Sequence, residues 1–214
     1  MDRSIAERKR SRSRNPRRAQ DSLSGQLAKG ALLGAAGKVF ARQGFAATTV
    51  EDILEEAGIA RRTFYKHFAN KEDVLAAIYE VATRDLLAQM RSAASSGTTP
   101  VDAIRRGLDV YLDHHAANGR LVGVLQRQAI RDDSPLAPQR QRFRDELVTL
   151  LDDAVRATTG ERNDRMLYAA LISALEGTSL EILSQGAGPT EVARVKRVMH
   201  LLLDRALLLD GRPR

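Results

Sequence analysis

The sequence contains no cysteine. That excludes disulfides, thiolate zinc sites, iron–sulfur clusters and cysteine nucleophiles together. Tryptophan is absent as well, and aromatic residues make up only 4% of the chain. No segment of useful length alternates with period two, so strands have little support. No apolar run approaches the roughly 18–20 residues of a membrane span; Leu201-Leu202-Leu203 and Leu207-Leu208-Leu209 are leucine runs of three. The basic N-terminal stretch has no apolar segment behind it, so it does not read as a secretory leader, and the expected location is cytoplasmic, with no membrane partner. There is no Gly-rich phosphate loop, no His-Glu-x-x-His and no nucleophile elbow. Adjacent acids such as Asp132-Asp133 and Asp152-Asp153 read as helix caps and surface. His114 and His115 are neighbours on a helix, where successive side chains point ~100° apart and cannot chelate one ion. No catalytic residue, cofactor or metal site is expected.

What is present is arginine. The 214 residues hold 34 basic side chains against 27 acidic ones, and only six of the basic residues are lysine. Arginine grips phosphate and guanine in a planar, bidentate way, so this balance points toward nucleic acid. The charge is unevenly placed. Residues 1–20 carry a net +6, residues 21–68 a net +1, and residues 69–214 are neutral. The run Arg8-Lys9-Arg10-Ser11-Arg12-Ser13-Arg14-Asn15-Pro16-Arg17-Arg18 has no apolar residue to bury. Residues 1–22 are therefore expected to form a disordered arm, serving either phosphate and minor-groove contact or solubility. The hydrophobic fraction of 43% is ample for a core in the remainder.

That remainder reads as about nine helices, an all-α chain without repeats. A helix near 25–43 stops at Gly44. Thr48-Thr49-Val50-Glu51-Asp52 provides a capping box for a helix over 50–57, and Gly58 ends it. A short helix is expected over 61–67, and a long one over 71–95 behind the N-cap Asn70. Further helices are expected over 101–117, 119–131, 138–158, 163–185 and 189–209, the last opened by Pro189.

A longer helix followed by two short ones across a tight glycine turn is a helix-turn-helix. Val50, Ile53, Leu54, Ile59, Phe64 and Phe68 are apolar at helical spacing and form its small core. This leaves Arg61, Arg62, Thr63, Tyr65, Lys66 and His67 around the outward faces of the third helix. Arg61 and Arg62 lie at its N-terminal end, where side chains reach base edges in the major groove, and are expected to carry direct readout. Phe40-Ala41-Arg42-Gln43-Gly44-Phe45, Thr48 to Ile53, Ala57-Gly58-Ile59, Thr63 to Phe68 and Asn70-Lys71-Glu72 resemble, in order and spacing, the N-terminal domain of TetR-family transcriptional regulators. The resemblance covers residues 27–80. It implies phosphate contacts for Thr49, His67 and Lys71 and a phosphate or sometimes a base contact for Tyr65, with Lys66 reaching either. One departure is Ala60, where the family usually places a Ser or Thr cap.

The resemblance further implies a DNA-binding domain over 23–70 and a ligand-binding and dimerisation domain over 71–214. The last two helices would pair with those of a second copy. The stripe Val192, Val195, Met199, Leu202, Ala206 and Leu209 suits that role, as do Leu167, Leu171, Ala174, Thr178 and Ile182. The middle helices would enclose a pocket. Met90, Tyr111, Leu112, His115, Val122, Leu125, Gln126, Phe143, Leu147, Tyr168 and Ile172 are either its lining or plain core. Glu176 and Arg127 are the charged candidates for fixing a polar end of a mostly apolar effector. The expected function is a dimeric repressor that binds a palindromic double-stranded operator and is released by a small molecule. The alternative is an architectural DNA-binding protein that uses the arm without sequence preference.

Overall fold

The computed structural model describes residues 16–131 and 133–207. Most of the expected arm, residues 1–15, and Leu209 of the expected dimer stripe lie outside the described residues. Among the described residues there are nine α-helices, one 3₁₀ turn and no strand. The helices are α1 (Pro16–Gln43), α2 (Val50–Ala57), α3 (Arg61–Phe64), α4 (Lys71–Ser95), α5 (Pro100–Ala117), α6 (Gly119–Ala129), α7 (Ala137–Thr159), α8 (Arg165–Glu181) and α9 (Pro189–Leu207). The 3₁₀ turn spans Leu183–Gln185, inside the segment expected to continue α8. No described helix is long and apolar enough to cross a membrane.

The local signals explain most of the boundaries. Thr49 accepts from the Asp52 amide while Asp52 accepts from the Thr49 amide, so both orphan donors are satisfied at the head of α2. Asn70 caps α4 through the Asp73 amide, and Thr99 caps α5 through Asp102 with Pro100 as its first residue. Besides the early end of α8, two boundaries depart markedly from expectation. Helix α1 begins at Pro16 rather than near 25, inside the segment read as an arm. Proline at the first helical position is pre-organised for a helix start. Helix α3 is regular only over Arg61–Phe64; bonds from Lys66 N to Thr63 O (3.3 Å) and from His67 N to Phe64 O (2.8 Å) then tighten the chain into a 3₁₀-like turn.

Two hydrophobic cores run through the molecule. One joins Leu32, Ala36 and Phe40 of α1 to Ile53, Phe64 and Phe68 and to Val74, Leu75, Ile78 and Tyr79 of α4. It does not end at residue 70. Val124, Leu125 and Ala129 of α6 and Leu136 complete it, and α1 packs on α6 closely enough that a Cβ at Gly37 would lie 3.4 Å from Leu121. The helix-turn-helix is thereby welded to the C-terminal helices through α4 and α6 together. The second core gathers Leu86, Leu87 and Met90 of α4 with α5, α7, α8 and α9.

On α9 the inward residues are Val195, Met199, Leu203 and Leu207, so part of the stripe expected to meet a second copy is intramolecular core. The outward apolar residues are Val198, Leu201 and Leu202, with Ala170, Ala174 and Gly177 exposed on α8. The correction follows from register. Steps of three and four from Val192 trace one face of a helix that has apolar residues on two.

Candidate nucleic-acid interface and effector cavity

Two parts of the chain concentrate chemistry, the head formed by α1–α3 and a cavity beneath it. In the head, Gly58 adopts φ 62°, the left-handed conformation that costs a residue without Cβ little. This turn sets α3 against α2. Phe64 is fully buried and packs on Phe68 with ring centroids 5.9 Å apart. That anchor leaves Arg61, Arg62, Tyr65 and Lys66 exposed, while Thr63 and His67 are half-buried. Tyr65 stands edge-on to Phe64. His67 lies beside α1, 3.7 Å from where a Cβ on Gly25 would sit.

The two arginines are not equivalent. Arg61 pairs with the Glu51 carboxylate of α2, whereas Arg62 has no ion-pair partner among the described residues. Both partners of the Arg61 pair are well exposed, so water and salt compete with it and it is weak. The Lys71 ammonium turns toward the protein. Its Nζ donates to the carbonyls of Phe45 (3.0 Å), Ala46 (3.3 Å) and Thr48 (2.7 Å) and lies over the Phe45 ring. An ammonium has three donors, and all three are engaged in holding the α1–α2 loop that presents Thr49. The Lys71 ammonium therefore holds the loop from behind, while the backbone N–H of Lys71, at the start of α4, makes no bond among the described residues.

Ala60 begins α3 in extended backbone, φ −66° and ψ 142°, with no side-chain cap. The backbone is already that of a capping residue. Ala60→Ser should therefore stabilise the protein by about 0.5–2 kcal/mol, read as a rise in the urea midpoint at constant slope.

The cavity has a volume of about 240 Å³ and lies between α4, α5, α6, α7 and α8. Seven of the expected residues line it: Tyr111, His115, Val122, Leu125, Gln126, Phe143 and Glu176. Met90, Leu147 and Ile172 do not. They face a separate apolar space of about 110 Å³ deeper in the second core. Leu112 is buried in that second core. Tyr168 lines neither space, and its hydroxyl donates to Asp152 at 3.3 Å. Periodicity could say that these residues face inward but not which side of the core they reach. Arg127 is exposed on α6 and does not line the cavity. The guanidiniums that meet Glu176 belong to Arg140, at 2.7 Å, and Arg144. Their spacing of four on α7 was the available signal, since it places both on one face. Tyr79 and Thr83 of α4 also line the cavity and were missed; they share a face with Leu86.

Burial sets the protonation of this cavity. His115 is pushed down to about 4, because burial disfavours its charged form more than its bond to the Tyr111 carbonyl favours it. The unfolded histidine keeps its ordinary value near 6.5. The unfolded chain therefore binds a proton that the folded chain refuses as pH falls through that value, and stability is lost between about pH 6.5 and 4. His115→Phe should flatten this part of a thermal-midpoint profile against pH. Burial and the nearby Glu176 charge push the Tyr79 and Tyr111 hydroxyls upward, so both stay neutral donors.

Comparison with known proteins agrees with this architecture. Residues 32–78 match the family model of bacterial regulatory proteins, tetR family. The transcriptional repressor KstR2 of Mycobacterium tuberculosis is 34% identical over 117 residues, 52% of this chain and 56% of that protein. The chain thus spans about half the length of the curated relatives it matches first. The transcriptional regulator TcmR of Streptomyces glaucescens is 30% identical over 170 residues, 79% of this chain and 66% of that one. A TetR-like transcriptional regulator from Rhodococcus sp. RHA1 superposes with a TM-score of 0.70 at 23% identity, over 85% of this chain and 96% of that one, a likeness of fold. With the capped α2, the Gly58 turn and α3 in the matched segment, the chain belongs to the TetR family of bacterial regulatory proteins.

Proposed function

We propose that the protein is a dimeric, ligand-released repressor acting on a pseudo-palindromic operator in the cytoplasm. The observation that carries the reading is α3, whose exposed Arg62 and Arg61 sit at the N-terminal end of a helix held by a buried Phe64. Arg62 reads a base edge directly. Arg61 joins it once DNA displaces the exposed Glu51. Thr49, Tyr65, Lys66 and His67 lie around them for phosphate contact, Thr63 supports the same surface, and Lys71 fixes the loop from behind. The DNA-binding unit takes residues 23–70, the N-terminal arm adds salt-sensitive affinity, and residues 71–214 form the effector and dimer part.

Dimerisation uses the outward face of α8 and α9. Val198 and Leu201 are more than half exposed there, and small residues on α8 allow close approach. Two-fold symmetry then gives two recognition helices about one helical turn apart or more. The effector occupies the 240 Å³ cavity. Leu125 and Ala129 belong to the head's core and also line that cavity. A ligand that fits the cavity better when α6 has moved lowers operator affinity by linkage.

Fluorescence anisotropy on an operator and its single-base variants tests the reading. Arg62→Ala should weaken operator binding by about 1–3 kcal/mol and relax preference at one position. An equal loss on every sequence would assign Arg62 to phosphate.

A further inference from the structure

One buried polar atom in the cavity has no partner. Gln126 Oε1 is shielded from solvent and accepts no hydrogen bond among the described residues. Its neighbours fix which way the amide points. His115 stacks on Tyr111 with ring centroids 3.9 Å apart, and its Nδ1–H donates to the Tyr111 carbonyl at 2.8 Å. A neutral imidazole with its proton on Nδ1 has a lone pair on Nε2. The Gln126 Nε2 amine lies 3.4 Å away and donates to it. Turning the amide over would set Oε1 against that lone pair, acceptor facing acceptor. The amide therefore presents Oε1 as an acceptor without a donor.

No group lining the cavity donates to it among the described residues. Thr83 Oγ1 donates to Tyr79 O at 2.8 Å and Ser173 Oγ to Ala169 O at 2.9 Å, each within its own helix. Leaving a buried acceptor unmet is costly, and the remaining wall is mainly apolar. We propose that the cavity takes a largely apolar ligand bearing a hydroxyl group, whose O–H donates to Gln126 Oε1. An ionised carboxylate at this end has no proton to offer and would face the amide oxygen. A cationic donor is disfavoured because Arg140 and Arg144 meet only one carboxylate, Glu176. The inference rests on the reading of this cavity as the effector site.

Calorimetric titration of the full chain with three matched probes tests it: 4-cyclohexylphenol, its methyl ether 4-cyclohexylanisole, and 4-cyclohexylbenzoate. The phenol should bind about tenfold or more tighter than the ether, the scale of one buried hydrogen bond, and the benzoate more weakly than the phenol. Gln126→Leu should bring the phenol down to the level of the ether and leave ether binding intact, which also shows that the variant retains its cavity. Equal binding of phenol and ether to the native protein would overturn the proposal while keeping the cavity as a ligand site. A preference for the benzoate would overturn it as well. Failure of all three to bind would overturn the reading of the cavity and the proposal with it.

Discussion

Glu176→Ala should destabilise the protein by about 3–5 kcal/mol, the range for breaking a buried ion pair from one side. Glu176 accepts from both Arg140 and Arg144, and the side chains of Glu176 and Arg144 are only 15% and 14% exposed. Removing the carboxylate leaves two guanidiniums crowded in a partly dry wall. Arg144 keeps its bonds to Ala169 O and Ser173 Oγ, but both are neutral acceptors. The reverse change is milder. Arg140→Ala removes the more exposed arginine and leaves Glu176 paired with Arg144. The double replacement Arg144→Leu with Glu176→Leu should recover part of the loss, because a well-packed apolar pair is often as stable as a buried ion pair. Urea unfolding of the four proteins reads these differences directly. A Glu176→Ala cost below about 1 kcal/mol would mean that water reaches the pair and that it behaves as a surface bridge.

Phe64→Ala should cost about 3–5 kcal/mol, the usual range for emptying a buried aromatic site. Helix α3 has one regular turn and no capping side chain. What holds it is the Phe64 ring, buried among Leu32, Phe40, Ile53 and Phe68. Arg61 and Arg62 ride on the same turn, so operator binding should fail under conditions where far-ultraviolet dichroism still reports folded helices. Phe64→Leu fills most of the volume and should keep binding with a smaller loss of stability. If Phe64→Ala left both stability and DNA affinity unchanged, α3 would not depend on this anchor.

The helices and the head were legible because their signals are local. Capping at Thr49 and Asn70 and the turn at Gly58 are written within a few residues, and the structure reproduces them. What sequence could not give was long-range. Lys71 matches a position that touches phosphate in the resembled family, yet its partners lie 23 to 26 residues earlier in the chain. Sequence points to Arg127 and not to Arg140 or Arg144, because an arginine on an amphipathic helix does not announce which neighbour it faces. The candidate lining residues all point inward, but the core holds two separate spaces, and periodicity does not distinguish them. The α9 stripe failed for a related reason: two apolar faces on one helix share the same steps of three and four. Gln126 was named as a lining residue, but its unmet acceptor depends on the tautomer of His115 and on the backbone at Tyr111, which only the assembled α5–α6 pair reveals.

The central claim is that α3 reads sequence on behalf of a two-fold dimer. Selection of bound duplexes from a randomised library by the full chain, at near-physiological salt, tests it most directly. The account predicts a pseudo-palindromic consensus with half-sites about one helical turn apart or more, bound well above random duplex. Uniform retention of all sequences, with affinity following salt alone, would contradict it and leave a basic chain that holds DNA without reading it.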